Sequence, residues 1–192
     1  MLMTQGKVII FSAPSGAGKS TLINHLLRGD HPFQFSISAT NRPPRGNEQN
    51  GVEYFFLSTE EFLYKIDNHE FIEYEEVYPN KFYGTLKSEV ERALSNGTNL
   101  LFDVDVKGGL KLKKYFGNRA LAIFVQPPSI EELRNRLEHR GTDTPEVIVE
   151  RLSKAASEIE FAPQFDVIVM NRNILETVPQ VKSLIANFLT SE

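Results

Sequence analysis

The sequence predicts an α/β protein: a central parallel sheet with helices on both faces, three layers in all, interrupted by one insertion. Three observations carry that prediction. Apolar runs such as "KVIIFS", "NLLFDVDV", "ALAIFVQ" and "FDVIVMN" lack polar alternation, which suits strands buried on both faces. Helical spacing separates them, so strand and helix alternate along the chain. One stretch, 33 to about 86, breaks this rhythm with turn-formers and short β-like pieces.

Taken in order, Lys7 to Ser12 reads as the first strand, and the glycine-bearing segment "SAPSGAGKST" follows it directly. Leu22, Ile23, Leu26 and Leu27 then recur at helical spacing up to Gly29. Inside the interruption, "NRPPRGNEQNG" is rich in turn residues and "VEYFFL" is β-like. There Ser58 with Glu61 forms a capping box before Phe62, Leu63 and Ile66. Asn99 to Val106, Ala120 to Gln126 and Phe165 to Asn171 are the further strands. Ser129 with Glu132 is a second capping box ahead of Leu133 and Leu137. Thr144 followed by Pro145 is a cap with proline at the first helical position, ahead of Ile148, Leu152 and Ile159. In "ILETVPQVKSLIANFL" a helix is expected to start near Pro179, since proline interrupts a helix interior.

Composition narrows the function classes. At 192 residues the chain fits one domain with insertions, and its 41% hydrophobic and 24% charged content is that of a globular protein. No apolar run approaches the roughly 18 residues of a spanning helix, and the N-terminus lacks a secretory pattern, so no membrane association and a cytoplasmic location are expected. With no cysteine there is no thiolate metal site or cysteine nucleophile. His25, His31, His69 and His139 lie too far apart to form a metal-ligand pair by spacing. A net charge of −4 argues against a nonspecific grip on nucleic acid, so an anionic ligand must be held by local clusters.

The segment from Ser12 to Thr21 is one residue short of the pattern G-x-x-x-x-G-K-[ST], because Ala13 stands where the pattern has glycine. Phosphate is bound there by converging backbone N–H groups and by the positive end of the next helix. Openness matters at Gly16 and Gly18; the first position sits at the strand exit, where a methyl group is harmless if φ stays negative. Lys19 is placed to reach the β and γ phosphates, and the Ser20 hydroxyl to ligate Mg²⁺. The nucleotide-contacting segment is then Ala13, Pro14, Ser15, Gly16, Ala17, Gly18, Lys19, Ser20 and Thr21.

An acceptor that is itself a phosphate needs cations more than a general base, because its second ionisation lies at about pH 6. Arg42 and Arg45, on a loop stiffened by Pro43 and Pro44, and then Tyr54 meet that need. A solvated loop with incidental arginines is the alternative on these residues alone.

Here the chain resembles the guanylate kinases, through "SAPSGAGKST", "SISATNRPPRGNE", "EFIEYEEVYPNKFYGT", "LFDVDVKGG", "PPSIEELRNRLEHRGTDTPEVIVERL" and the terminal helix. The resemblance implies a P-loop kinase fold as a single domain over 5–188: a core of 5–32, 87–126 and 162–192, a mixed α/β subdomain binding GMP at 33–86, and a small helical lid at about 127–161. It implies phosphorylation of GMP, and of dGMP, by ATP with Mg²⁺, in purine metabolism and GMP recycling. Ser38, Glu73 and Thr85 then contact guanine, Arg42, Arg45, Tyr54 and Tyr83 hold the GMP phosphate, and Gly84 is a further GMP-binding position. A carboxylate at Glu73 accepts from both guanine N1–H and the 2-amino group, neither of which adenine offers.

The resemblance also points Asp103 toward the guanine and metal-water side of the cleft; a strand-end aspartate capping the next turn reads equally well. Arg136, Arg140 and Arg151 would be brought by the lid to the migrating phosphoryl group. A solvated helical face is the alternative for each, and Arg134 belongs to it.

Four departures from the family pattern stand out. Asn41 replaces a threonine, Gly46-Asn47-Glu48 shifts a glycine, Lys107 replaces a glutamine, and "MNRN" replaces Asn-Asp-Asp near the adenine, where Arg172 bears on ATP affinity. Two other functions remain: a non-catalytic guanylate-kinase-like module that recognises a phosphorylated peptide, and a ribose bisphosphate phosphokinase. An intact loop and lid speak against the first, and the guanine-reading set against the second.

Overall fold

The computed structural model describes residues 5–28, 32–141 and 143–191. Its larger sheet has five parallel strands in the order β2-β7-β1-β8-β9. These are β1 (Val8–Ser12), β2 (Phe33–Phe35), β7 (Asn99–Asp103), β8 (Ala120–Gln126) and β9 (Val167–Met170). The period of two in β1 divides the core. Ile9 and Phe11 pack with Leu22 and Ile23 of α1 (Lys19–Leu26) and with Val181 and Ile185 of α7 (Ile174–Thr190). Val8 and Ile10 pack on the opposite face with Val90 of α3 (Lys87–Ser95) and Leu112 of α4 (Val106–Phe116). This is the expected three-layer arrangement, with one addition: Phe33–Phe35 joins the larger sheet, although the insertion was expected to begin at residue 33.

A second sheet, in the order β4-β3-β6-β5, carries the insertion. It contains β3 (Ala39–Thr40), β4 (Phe55–Phe56), β5 (Phe71–Tyr78) and β6 (Lys81–Leu86), with α2 (Thr59–Asp67) packed through Phe62 onto Phe71 and Phe82. The Ser58–Glu61 capping box at α2 forms in both directions. Asn41 binds the insertion together: its amide donates to Thr59 Oγ1 and the Asn80 carbonyl, both at 2.9 Å, and its Oδ1 accepts the Phe82 N–H at 2.8 Å.

Four sequence expectations need correction. The strand expected over Asn99 to Val106 stops at Asp103, because Asp105 accepts the Gly108 N–H at 2.6 Å and caps α4, which Val106 begins. At α5 (Ile130–Arg140) only half the expected box forms: Ser129 Oγ accepts the Glu132 N–H at 3.0 Å, but the Glu132 carboxylate turns to Arg136. At α6 (Pro145–Ile159) the Thr144 hydroxyl pairs with the Glu146 carboxylate and caps no backbone N–H, while Pro145 does take the first helical position.

The fourth concerns α7, which starts at Ile174 and runs through Pro179. An interior proline costs about 3 kcal/mol. Here the carbonyl it leaves unpaired belongs to Leu175, a residue 75% exposed and open to water. A full cap at Asn173 and the buried face of Thr177, Val181 and Ile185 outweigh the cost. The expected end of α1 at Gly29, and His31, lie outside the described residues.

Candidate active site

The loop between β1 and α1 turns at Gly16 and Gly18, with φ of +89° and +93°, a region that side chains rarely tolerate. Side chains are barred there for a second reason. A Cβ on Gly18 would come within 2.5 Å of Asn171 Nδ2, and one on Gly16 within 2.9 Å of Leu137 of the lid. Asn171 donates to the Ala17 carbonyl at 2.8 Å, so β9 braces the loop from below. Gly18 caps α1 without a side-chain hydrogen bond, which leaves the first-turn amides open to an anion. Ala13 is packed into the core and also borders the cavity above the loop.

Lys19 extends across the cleft to β7, where Nζ bonds Asp103 at 2.6 Å and the Val104 carbonyl at 2.7 Å. A cavity of about 450 Å³ opens above, lined by the loop, by Lys19, Ser20 and Thr21, by Asp103 and Asp105, and by Arg140, Lys154 and Glu158 from the lid. Burial pushes the Glu158 carboxyl up, and its Oε2 has no hydrogen-bond partner among the described residues.

A second cavity of about 230 Å³ lies between the two sheets, lined by Ser38, Tyr54, Glu73, Glu75, Tyr83, Gly84 and again Asp103, Val104 and Asp105. The pairing of β5 with β6 sets Glu73 opposite Thr85, whose hydroxyl donates to Glu73 Oε1 at 2.6 Å. Burial is the main cause that pushes the Glu73 carboxyl up, with the nearby Asp105 charge adding to it. Glu75 is pushed up chiefly by a hydrogen bond to Asp105, with burial adding to it.

Arg42, Arg45 and Thr85 do not line this cavity themselves; Arg42, only 7% exposed, reaches its wall through Tyr54 and Tyr83. Its guanidinium stacks over the Tyr54 ring at 4.8 Å, and its Nε donates to the Tyr83 hydroxyl at 3.2 Å. The end of its fork faces Glu48, whose carboxylate accepts from Nη1 at 2.6 Å and Nη2 at 2.8 Å, while Nη1 also donates to the Pro43 carbonyl at 3.0 Å. Arg45 is exposed, and its backbone N–H donates to the same carboxylate at 2.8 Å.

Of the three lid arginines only Arg140 borders the larger cavity. Arg136 is engaged by Glu132 at 2.9 Å and by the Asn171 carbonyl at 3.0 Å. Arg151 pairs with Asp143 at 3.3 Å. Leu133 and Leu137 of α5 pack with Ile148, Leu152 and Ala155 of α6, so these two helices, over which the lid is expected, form a unit with its own small core. Arg172 is exposed and offers its carbonyl to Arg136 at 3.4 Å.

Sequence reasoning missed several participants. Lys154 and Glu158 face the phosphate loop from α6, and Asn171 braces that loop. Asp105, which the sequence already offers beside Asp103 as a carboxylate placed near Mg²⁺, lines both cavities and caps α4. Glu48 drew notice only as part of an altered turn. The usable signal was a carboxylate three residues after one arginine and six after another, on a loop stiffened by two prolines.

A glycine-turned loop at the carboxyl end of a parallel strand, with a lysine and a hydroxyl at the head of the next helix, defines a P-loop nucleotide-binding protein. The family model for guanylate kinase matches residues 5–188. A curated guanylate kinase of Bacteroides thetaiotaomicron is 59% identical over 187 residues, covering 97% of this chain and 92% of the relative. That of Porphyromonas gingivalis is 57% identical over 184 residues, covering 95% of this chain and 98% of the relative. Among solved structures, a guanylate kinase from Anaplasma phagocytophilum superposes with a TM-score of 0.73 at 30% identity, covering 98% of this chain and 88% of that one. The chain belongs to the guanylate kinase family.

Proposed function

We propose that this protein transfers the γ-phosphoryl group of ATP to GMP, and to dGMP, giving ADP and the corresponding diphosphate. One observation carries the reading: the cavity above the phosphate loop and the cavity between the sheets share Asp103, Val104 and Asp105. A donor in the first and an acceptor in the second therefore meet end to end, as direct transfer requires.

The acceptor phosphate attacks as a base already ionised near neutral pH, so no side chain need remove a proton. An acceptor oxygen forms the new bond to the γ-phosphorus while the bond to the β,γ-bridging oxygen breaks, and the electron pair leaves with ADP. Lys19 neutralises charge on the β and γ phosphates, and Arg136, Arg140 and Arg151 approach as the lid closes. Arg42, Arg45, Tyr54 and Tyr83 clamp the acceptor phosphate. Glu73, with Ser38, Gly84 and Thr85, reads guanine, and Asp103 sits between the two sites.

Among the described residues no three His, Asp or Glu side chains cluster as metal ligands. Mg²⁺ keeps several waters and takes few protein ligands, so the exposed Ser20 hydroxyl facing Asp103 and Asp105 across one cavity fits it. Mg²⁺ bound there by Ser20 and the ATP phosphates would supply further charge neutralisation. No described helix is long and apolar enough to cross a membrane.

Coupled ADP release tests this reading, with GMP, dGMP, AMP, UMP and ribose 1,5-bisphosphate offered at equal concentration. Turnover is expected with GMP and dGMP. No turnover with GMP sinks the proposal, equal rates with AMP sink the role of Glu73, and a preference for ribose 1,5-bisphosphate would favour the phosphokinase reading instead.

A further inference from the structure

A guanidinium has five N–H donors in a fixed plane, so which of them are occupied decides which edge is available. Nη1 of Arg42 donates to the Pro43 carbonyl at 3.0 Å and to Glu48 Oε2 at 2.6 Å; Nη2 donates to Glu48 Oε1 at 2.8 Å. The end of the fork, between Nη1 and Nη2, is thus filled by one carboxylate. The side edge consists of Nε–H and the second Nη2–H, because Nη2 is the terminal nitrogen on the Nε side. Among the described residues that edge meets only the Tyr83 hydroxyl, at 3.2 Å from Nε, and Tyr83 lines the acceptor cavity.

Glu48 is fixed in turn. It accepts the Arg45 N–H at 2.8 Å, while its own N–H donates to the Arg45 carbonyl at 3.1 Å, closing the turn across Gly46 and Asn47. We propose that Glu48 is a positioning residue for the acceptor phosphate: it grips the end of the Arg42 fork and the Arg45 amide, and so aims the Arg42 side edge past Tyr83 into the cavity. The inference rests on reading that cavity as the GMP site. A carboxylate that only stood in for the phosphate would have to leave when GMP arrives. Glu48 instead holds the edge that the cavity does not need, and it is tied to its own loop on both sides. The Arg42 hydrogen bonds, followed by the Arg45 N–H, hold the Glu48 carboxyl down at about 2, so it stays ionised throughout the neutral range.

The test compares wild type, E48Q and E48D for GMP and guanosine affinity by calorimetry, for KM of GMP and ATP, for kcat and for melting temperature. Glutamine keeps the shape but turns an amide N–H toward a donor, so E48Q should weaken GMP about tenfold to a hundredfold. Guanosine, which lacks the phosphate, should change by less than about twofold, and so should KM for ATP, since neither meets the clamp. E48D keeps the charge and should recover part of the GMP affinity. Unchanged or tighter GMP binding by E48Q overturns the proposal, the latter by identifying Glu48 as a competitor of phosphate. Equal weakening of GMP and guanosine overturns it in favour of a merely structural role. If E48Q does not fold, the GMP-to-guanosine ratio of E48D decides on the same terms. Wild-type protein that binds no GMP overturns the acceptor reading itself and the proposal with it.

Discussion

The two halves of the cleft are built from different materials. On the side proposed for the donor, the open groups are backbone amides of a loop bent by two glycines, anchored to a five-stranded sheet and braced by Asn171. On the acceptor side they are side chains on a smaller four-stranded sheet, held by one another: Arg42 by Glu48 and Tyr83, Glu73 by Thr85. Amides at a helix start recognise phosphate whatever it is attached to, so they suit a common donor. Paired side chains read the shape and charge of one acceptor, and each is sensitive to the loss of its partner.

The sharpest break in this contrast comes from Lys19→Ala. The lysine links the head of α1 to β7 through Asp103. Its loss should reduce kcat by about a thousandfold or more while GMP affinity stays within about twofold. Steady-state kinetics with titration of GMP checks this; a large loss of GMP affinity would show that the two halves are not separable.

Arg42→Ala should act in the opposite sense and next in size. It removes the clamp and leaves the Glu48 carboxylate without its guanidinium partner. KM for GMP should rise about a hundredfold with KM for ATP unchanged. Arg42→Lys should not restore it, since an ammonium cannot satisfy Glu48 and Tyr83 along two edges at once. Restored affinity in the lysine variant would reduce the clamp to simple charge.

The contrast also explains what could be read from sequence. The loop, α1 and β8 were legible because their determinants are contiguous, and β8 spans Ala120–Gln126 as expected. The acceptor side depended on family likeness, because its contacts join distant residues: Arg42 meets Tyr83 across 41 positions, and Thr85 meets Glu73 across 12. Local misreadings have local causes. Val106 looked like strand because a buried first helical turn is as apolar as a strand end, and only the Asp105 cap distinguishes them. Pro179 looked like a helix start because the solvent exposure that lets water satisfy Leu175 is a tertiary fact.

Glu73 gives a smaller effect with a definite pH signature. Burial raises its folded-state pKa above the unfolded value, so its contribution to stability is present at low pH and lost as pH rises through the folded value. Near neutrality the ionised carboxylate therefore costs stability, and Glu73→Gln should raise the melting temperature by about 2 to 4 °C for each kcal/mol recovered. The same variant should weaken GMP about tenfold or more and narrow its lead over AMP. In the wild type, GMP affinity should fall as pH drops, beginning at a higher pH than an ordinary carboxylate would set, because guanine is read by the ionised form. A pH profile of KM for GMP identical in wild type and Glu73→Gln would remove Glu73 from guanine recognition.

The smallest effect belongs to Ala13→Gly, which restores the glycine that the phosphate-loop pattern has at its first position. Ala13 is buried among core side chains, and its φ is not among the positive values of the chain. A glycine there gains no conformation the loop uses, and it removes one methyl from the core, worth about 0.8 kcal/mol, with a further 0.5 to 1 kcal/mol from backbone freedom. The variant should therefore melt a few degrees lower with KM for ATP and kcat unchanged. Stronger ATP binding in Ala13→Gly would mean that the first position shapes the phosphate cradle after all, and that the donor side relies on more than the amides after Gly16 and Gly18.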